Sequence, residues 1–189
     1  HNFLSGCTGW NLEHYRKWIR QASRMGYNSI MLHFYGNNPA FQYTHNGETK
    51  DVGFMGATHK GPEWGIPLLN DVRRLPGANF LEHPVYSSEV ALVEDDQRVD
   101  AAVKLIQQAL QYAESFGIKI HLAVDMDHYS CNPQNIIQTL PESARFKNGQ
   151  LARPDRPEGY AYYKTQVKTL LETYPQLNTI IVWSRGEWT

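Results

Sequence analysis

One pattern occurs three times along this sequence: an amphipathic helix that stops at Gly or Pro, a short link, and a run of apolar, β-branched residues. In the first copy, Asn11 is placed to cap the helix, Gly26 follows its last turn, and a strand is predicted over residues 28–35. The second copy stops at Gly117 before "IKIHLAVD", and the third stops at Pro175 before "TIIVW". Helices that alternate with short apolar strands predict an α/β fold built around a parallel sheet.

Each predicted helix has one apolar face that should pack against this sheet. The residues expected on these faces are, from the first helix to the third, Leu12, Tyr15, Ile19, Ala22 and Met25; Val99, Val103, Ile106, Leu110 and Ala113; and Tyr163, Val167, Leu170, Leu171 and Tyr174. A further strand is predicted near residues 85–92, within "HPVYSSEVALV".

The connections that follow the predicted strands are long, whereas those that lead into them are short. Residues 36–96 are expected to form a long insertion loop, and residues 126–158 form a second excursion. A (β/α)8 TIM barrel keeps its active-site loops after its strands, and a doubly wound sheet binds ligands on the same side, so loop length does not separate these folds. The segment "FYGNNP" after the first strand lacks the G-x-G-x-x-G pattern, which weakens a dinucleotide-binding interpretation.

The number of strands favours part of a barrel. Four predicted strands are half of the eight in a TIM barrel, which takes about 250 residues, and this sequence has 189. The last strand is apolar throughout and should have a neighbour on each side. We therefore expect one partial domain over residues 1–189, the N-terminal half of a (β/α)8 TIM-type barrel with about four βα units. The remaining half would come from the full-length chain or by self-association, since open strand edges and an exposed apolar face promote association.

Composition limits the expected partners. Lys and Arg number 18 and Asp and Glu number 19, a formal charge of −1, so there is no reason to expect nucleic acid or a membrane as partner. No apolar run reaches the ~20 residues needed to cross a bilayer.

The 11 Tyr, 7 Phe and 5 Trp residues suit a carbohydrate site, although core packing explains most single aromatics. Cys7 and Cys131 are expected to be free thiols, and no zinc-ligand spacing lies near them.

Polar and aromatic residues accompany the ends of three predicted strands. They are His33, Tyr35, Asn37 and Asn38 at the first; Asp125, Asp127, His128 and Tyr129 at the third; and Ser184, Arg185, Glu187 and Trp188 at the last. In a barrel these clusters share one end. Carboxylates can transfer protons, amides and Arg can bind hydroxyls or a sugar carboxylate, and Trp can stack on a sugar ring. The combination therefore fits glycoside hydrolysis.

Each of these residues also has a structural interpretation. Asn37 and Asn38 could form a turn, Asp127 could cap a helical turn, and Asp125 could belong to an ion pair. Glu187 is the strongest candidate for a proton donor, because burial just beyond an apolar strand would raise the pKa of its carboxyl group. Its alternative is an exposed glutamate in a salt bridge.

Three segments resemble the barrel of α-glucuronidases that remove glucuronic acid from xylan side chains. "RMGYNSIMLHFYGNN" resembles their first barrel strand, which ends in an Asn pair, and "YAESFGIKIHLAVDM" resembles the strand after a "YGI" turn. "YAYYKTQVKTLLETYPQLNTIIVWSRGEW" resembles the helix and strand that carry the general acid of the family. The order of segments is also similar to β-hexosaminidase-like barrels, whose third strand ends in a sequence resembling Asp125-Met126.

The last segment departs from the α-glucuronidase pattern. In that family the acid follows Ser directly and precedes Gly, whereas Arg185 occupies that place here and Glu187 comes two residues later. Either the loop register shifts and Glu187 takes the role of the acid, or the catalytic carboxylate is absent. The base carboxylates of the family lie on later strands, and both glycosidase mechanisms need a pair of carboxylates.

The clusters and the resemblance together predict a fragment of a glycoside hydrolase acting on a polysaccharide or oligosaccharide, with a uronic acid as one candidate sugar. The fragment alone is expected to be inactive, and no cofactor or metal is expected. The candidate catalytic residues are Glu187 and Asp125; the candidate sugar-binding residues are His33, Asn37, Asn38, Asp127, His128 and Arg185, with Trp64 and Trp188 for stacking. A polysaccharide substrate would favour a secreted or periplasmic location, although the sequence alone leaves the compartment open.

Two other functions stay open. A metal-dependent barrel enzyme such as a sugar isomerase could use Asp125, Asp127, His128 and Glu187 as oxygen and nitrogen ligands. A non-catalytic carbohydrate-binding barrel would keep the fold and lose the acid, and the arginine at position 185 favours this alternative.

Overall fold

The computed structural model describes residues 10–34, 39–50, 88–90, 93–126, 134–146, 149 and 151–183. Its helices and strands are, in chain order, α1 (Leu12–Arg24), β1 (Ser29–Phe34), β2 (Thr44–His45), β3 (Glu48–Thr49), α2 (Arg98–Glu114), β4 (Lys119–Asp125), α3 (Gln134–Gln138), α4 (Pro157–Thr173) and β5 (Thr179–Trp183). Two 3-10 turns lie at Asp95–Gln97 and Glu142–Ala144. None of the helices in these ranges is long and apolar enough to cross a membrane.

Three of the predicted strands form one parallel sheet in the order β1–β4–β5. Phe34 of β1 lies opposite Val124 of β4, and Asp125 of β4 lies opposite Trp183 of β5. The strand order follows the chain order, so right-handed crossovers would place the connecting helices on one face of the sheet. The predicted α/β fold with a parallel sheet is confirmed. Within the described residues the sheet is open, with β1 and β5 at its edges.

The two faces of this sheet differ in burial, because successive side chains of a strand point to opposite faces. Ile30, Ile120 and Leu122 lie on one face and are almost fully buried in the core with the apolar residues of the helices. Met31 and Ile181 lie on the other face and remain 59% and 43% exposed. The described core therefore lies on one side of the sheet only.

Helix α1 begins and ends as the sequence predicts. The Asn11 side chain accepts a hydrogen bond from the His14 backbone N–H at 3.0 Å, and His14 Nδ1 accepts one from the Asn11 N–H at 3.2 Å. This reciprocal pair satisfies donors that a helix N-terminus otherwise leaves open. Gly26 follows with a φ of 81°, the left-handed conformation that glycine adopts without strain. The prediction that Met25 faces inward is wrong, because the chain leaves the helix there and exposes that side chain.

A small hairpin, β2–β3, lies within the predicted insertion loop over residues 36–96. Asn46 and Gly47 connect its strands with φ angles of 52° and 82°, as a tight two-residue turn requires. The strand predicted near residues 85–92 is wrong for its described part, Ser88–Val90, which forms a turn. The Val90 N–H donates to Ser88 Oγ at 3.1 Å, and this local bond satisfies a donor that a strand would use in a ladder. The other positions of that range lie outside the described residues.

Helix α4 buries a face that overlaps the predicted one and is rotated toward Tyr162 and Gln166. Leu170 and Tyr174 are buried as expected, and Tyr163 and Val167 are partly buried against the core. The prediction is wrong for Leu171, which stays 45% exposed. The remaining buried positions of the helix are Gly159, Tyr162 and Gln166. The physical reason is the hairpin segment, whose Tyr43 packs against Tyr162 and rotates the buried face toward that side of the helix.

Candidate functional site

The three polar clusters begin at one edge of the parallel sheet. β1, β4 and β5 run parallel and end at Phe34, Asp125 and Trp183. The pairing register keeps these ends within one residue of each other, since Phe34 is opposite Val124 and Asp125 is opposite Trp183. Neighbouring strands lie about 4.8 Å apart. The residues that follow the three strands therefore start side by side at what we call the carboxyl edge, where open α/β sheets and barrels bind ligands.

His33 is the predicted site residue whose side chain the structure describes. It is half-buried in β1, one position before the carboxyl edge, and it lies opposite Ala123 of β4. Because strand side chains alternate, His33 shares its sheet face with Met31 and not with the buried Phe34. It therefore belongs to the less covered face of the sheet, although its Nε2 atom is buried.

The other predicted site residues receive no structural test. Asp125 is placed by its backbone as the last residue of β4, but its side chain is outside the description. The residues that lie outside the described ranges are Asn37, Asn38, Trp64, Asp127, His128, Arg185, Glu187 and Trp188. Their roles stay predictions, and the structure contributes the positions from which their segments start.

Tyr174 contacts residues on both sides of the segment that follows β1. This tyrosine is buried at the C-cap of α4. Its ring meets Phe34 edge-on with 5.8 Å between the ring centroids, and its hydroxyl donates a hydrogen bond to the Ala40 carbonyl oxygen. One side chain thus contacts the last residue of β1 and the start of the hairpin segment. The arrangement anchors both described ends of the stretch that carries the predicted Asn pair.

Two side-chain hydrogen bonds join the β2–β3 hairpin segment to α4. The hydroxyls of Tyr43 and Tyr162 are 2.9 Å apart and hydrogen-bonded, and His45 Nδ1 lies 3.1 Å from Thr165 Oγ1. Partial burial lowers the pKa of His45 below its ordinary value, since desolvation disfavours the charged ring. This hairpin was not predicted from the sequence. Its signal was the Asn-Gly dipeptide between two short polar-apolar stretches, which is typical of a two-residue hairpin turn.

A charged turn precedes α4. Arg153 Nη2 and Asp155 Oδ2 are 2.6 Å apart, and this hydrogen bond is the main reason why the pKa of Asp155 is lowered. Arg156 adds a weaker contact to the same carboxylate at 3.7 Å. All three side chains are partly or fully exposed, so the turn is an ordinary surface ion pair.

No group of three or more His, Cys, Asp or Glu side chains within the described part of the chain is arranged to hold a metal ion. The four residues suggested as metal ligands have side chains outside that part, so this finding does not bear on them. The carboxyl edge is therefore the place where the segments that follow three strands begin, with His33 one residue before it. In comparisons with known proteins, no family model, curated protein or solved structure matches this chain.

Proposed function

We propose that this chain is the N-terminal half of a (β/α)8 barrel in a glycoside hydrolase that cleaves glycosidic bonds in a polysaccharide or oligosaccharide. The observation that carries the proposal is the carboxyl edge. Three neighbouring parallel strands end side by side, and each continues into a sequence cluster able to bind or hydrolyse a sugar.

The strand order is compatible with a barrel. β1, β4 and β5 follow one another in chain order, as they would in a barrel segment and also in one half of a doubly wound sheet. In a barrel the face away from the helices would become the interior. Met31 and Ile181, exposed on that face, would be covered by the remaining half, supplied by the full-length chain or by self-association.

In this proposal Glu187 donates a proton to the leaving oxygen of the glycosidic bond, and Asp125 is the second carboxylate. Asp125 lies opposite Trp183, and Glu187 comes four residues later, so the two carboxylates belong to segments that start from neighbouring strand ends. Arg185 would bind hydroxyls or the carboxylate of a uronic acid, with Asn37, Asn38, His33, Asp127 and His128 as further sugar ligands. Trp188 or Trp64 would stack on a sugar ring.

The test is a pair of substitutions in the full-length enzyme, Glu187→Gln and Asp125→Asn, assayed on oligosaccharides that carry uronic acids. Each should reduce kcat by at least about 100-fold, the usual contribution of a positioned acid or base. Glu187→Gln should also remove the basic limb of the pH–rate profile. The matched control is Glu114→Gln, an exposed glutamate at the end of α2, which should leave kcat unchanged. Unchanged turnover in Glu187→Gln would remove this residue from the mechanism.

One sequence observation favours a second candidate, a carbohydrate-binding barrel without catalysis. Arg185 stands where the resembled family has its acid. Saturable binding of uronic-acid oligosaccharides by calorimetry, with no reducing ends released over days, would support this candidate over the hydrolase. Release of reducing ends that depends on Glu187 would contradict it.

A further inference from the structure

The turn of the β2–β3 hairpin has a chemically labile sequence. Its two residues, Asn46 and Gly47, are both exposed. In an Asn-Gly sequence the backbone nitrogen of the glycine can attack Cγ of the asparagine, because glycine has no side chain to hinder the approach. Ammonia leaves, a five-membered succinimide forms, and water opens the ring to aspartate or isoaspartate. This deamidation consumes one water molecule and needs no other reagent.

The Asn46 side chain contacts the residue that follows α3. Its Nδ2 atom donates a hydrogen bond to Thr139 Oγ1 at 3.1 Å. Thr139 Oγ1 also lies 2.6 Å from the Ile136 carbonyl oxygen and donates to it. A carbonyl oxygen can only accept, so this second bond uses the single hydroxyl hydrogen of Thr139. Toward Asn46 the hydroxyl can therefore only accept, and the residue at position 46 must supply a donor.

An aspartate at position 46 cannot make this contact. An ionised carboxylate is an acceptor only, so it would place negative charge against the lone pairs of Thr139 Oγ1. The turn itself tolerates the change, because Asp-Gly forms the same two-residue turn as Asn-Gly. Deamidation to aspartate therefore removes the contact between the turn and Thr139 without removing the turn. Isoaspartate adds a methylene group to the backbone and alters the turn as well.

The folded hairpin also slows the reaction that would modify it. Asn46 and Gly47 have φ angles of 52° and 82°, as in a type I′ turn. The first central residue of that turn has a ψ angle of about +30°, and closure of the succinimide ring requires this bond to rotate out of the turn. The hydrogen bond to Thr139 holds the side chain of Asn46 against the same rearrangement.

We propose that Asn46 is a site of spontaneous deamidation, and that its conversion to aspartate or isoaspartate irreversibly releases the hairpin turn from Thr139. The Thr139 hydroxyl protects the amide while the hairpin is docked and rejects the product afterwards. The modification is thus a one-way switch on the segment that also contacts α4 through Tyr43 and His45. The proposal does not depend on the proposed function, since it concerns the hairpin and not the carboxyl edge.

The first test follows deamidation of Asn46 in the purified protein by peptide mass spectrometry, in mildly alkaline buffer, which favours attack by the backbone nitrogen. Thr139→Val removes the hydroxyl and keeps the shape of the side chain. It should accelerate the reaction about twofold to tenfold, the factor that the net contribution of one hydrogen bond corresponds to. Thr139→Ser keeps the hydroxyl and should react at the original rate. The unchanged protein in urea should react faster than folded Thr139→Val, because unfolding removes the turn as well.

The second test measures hydrogen exchange of the hairpin in Asn46→Asp, which reproduces the aspartate product. The Lys50 backbone N–H donates to the Tyr43 carbonyl oxygen at 2.9 Å beside the two strands. Its exchange should be several-fold faster in Asn46→Asp than in the unchanged protein. The matched control is Asn135→Asp, which adds the same charge at an exposed position of α3 and should leave this exchange unchanged.

Three results would overturn the proposal. Equal rates in the folded protein and in urea, or no reaction at Asn46 in either, would mean that the docked turn does not control deamidation. Equal rates in Thr139→Val and Thr139→Ser would mean that the hydroxyl gives no protection. Unchanged exchange in Asn46→Asp would mean that the modified turn stays docked. This last result does not involve Thr139 variants, so it decides the proposal even where Thr139→Val fails to fold.

Discussion

Helices α2 and α4 are each 17 residues long, and each leads into a strand of the parallel sheet. They differ in how they use their apolar residues. α2 packs against α1 and β4 and buries a broad face that includes Leu105, Ile106 and Leu110. α4 contacts the β2–β3 hairpin and the 3-10 turn at Glu142–Ala144, and it leaves part of its apolar surface exposed.

The contrast shows that the periodicity of a sequence specifies a helix but not always its orientation about its own axis. α2 buries one continuous face, although Val99 and Val103, which were also expected to face inward, lie at its edge and are only partly buried. α4 has two neighbouring rows, one through Tyr162 and Leu170 and one through Val167 and Leu171. Which row is buried depends on what packs against the helix. The hydroxyl pair between Tyr43 and Tyr162 selects the first row.

The largest expected effect compares adjacent leucines of α4. Leu170 is 0% exposed and Leu171 is 45% exposed. Leu170→Ala should lower the free energy of unfolding by about 2–5 kcal/mol, the range for a buried leucine, and Leu110→Ala on α2 should fall in the same range. Leu171→Ala should change it by less than about 1 kcal/mol. Denaturant unfolding followed by circular dichroism, at a concentration where the chain is monomeric, measures all three.

Equal losses in Leu170→Ala and Leu171→Ala would mean that α4 buries both rows, and the difference between the two helices would disappear. A larger loss in Leu171→Ala would mean that α4 buries the row through Val167 and Leu171 in place of the row through Tyr162 and Leu170.

Features that depend on nearby residues were predictable. Local propensity and apolar runs, each visible within a few positions of the sequence, predict the Asn11 cap, the helix end at Gly26 and the three strands of the sheet. The meeting of the strand ends was also predictable, because parallel strands joined by helices place their carboxyl ends at one edge. These are the parts of the fold and of the candidate site that the sequence analysis anticipated.

Features that depend on residues far apart in the sequence were not predictable. Tyr43 and Tyr162 are 119 positions apart, and nothing local to either residue identifies the other as its partner. The buried Gln166 was missed for the same reason, since its polarity argues for exposure and only the tertiary packing encloses it. For the carboxyl edge, the sequence names candidate side chains and the structure gives the positions of the strand ends, while the distances among most of those side chains involve segments outside the described residues.

The first turn of α4 also distinguishes the two helices. It contains a buried glycine, Gly159, whereas α2 contains no glycine. A Cβ atom on Gly159 would lie 1.9 Å from the Arg153 carbonyl oxygen, a backbone atom that cannot move aside easily. Alanine normally stabilises a helix relative to glycine by about 1 kcal/mol. Gly159→Ala should instead destabilise the protein by about 1–3 kcal/mol, the range for overpacking.

Thermal unfolding of Gly159→Ala measures whether this substitution destabilises or stabilises the protein. A control, Ala161→Gly at an exposed position of the same helix, should cost about 0.5–1 kcal/mol from propensity alone. A higher midpoint for Gly159→Ala would show that the turn before α4 does not approach the helix so closely, and α4 would then be free to begin in another rotation.

The smallest expected effect concerns the contact that orients α4, and it depends on pH. His45 hydrogen-bonds Thr165, and partial burial lowers the pKa of the imidazole in the folded state below the ordinary 6.5. As pH falls below about 6.5, the unfolded chain takes up this proton before the folded chain does. The free energy of unfolding should therefore decrease toward acid pH, and this contribution should be complete above pH 7.

Since other histidines also titrate, the quantity to measure is the difference in stability between the unchanged protein and His45→Gln, from pH 8 to pH 5. That difference should be constant near pH 8, where His45 is neutral in both states, and should shrink on acidification. A difference that stays constant down to pH 5 would mean that the ring is as well solvated in the folded protein as in the unfolded one. The hairpin would then not be docked on α4 through His45, and the orientation of the helix would rest on the contacts of Tyr162 with Tyr43 and of Tyr174 with Phe34 and Ala40.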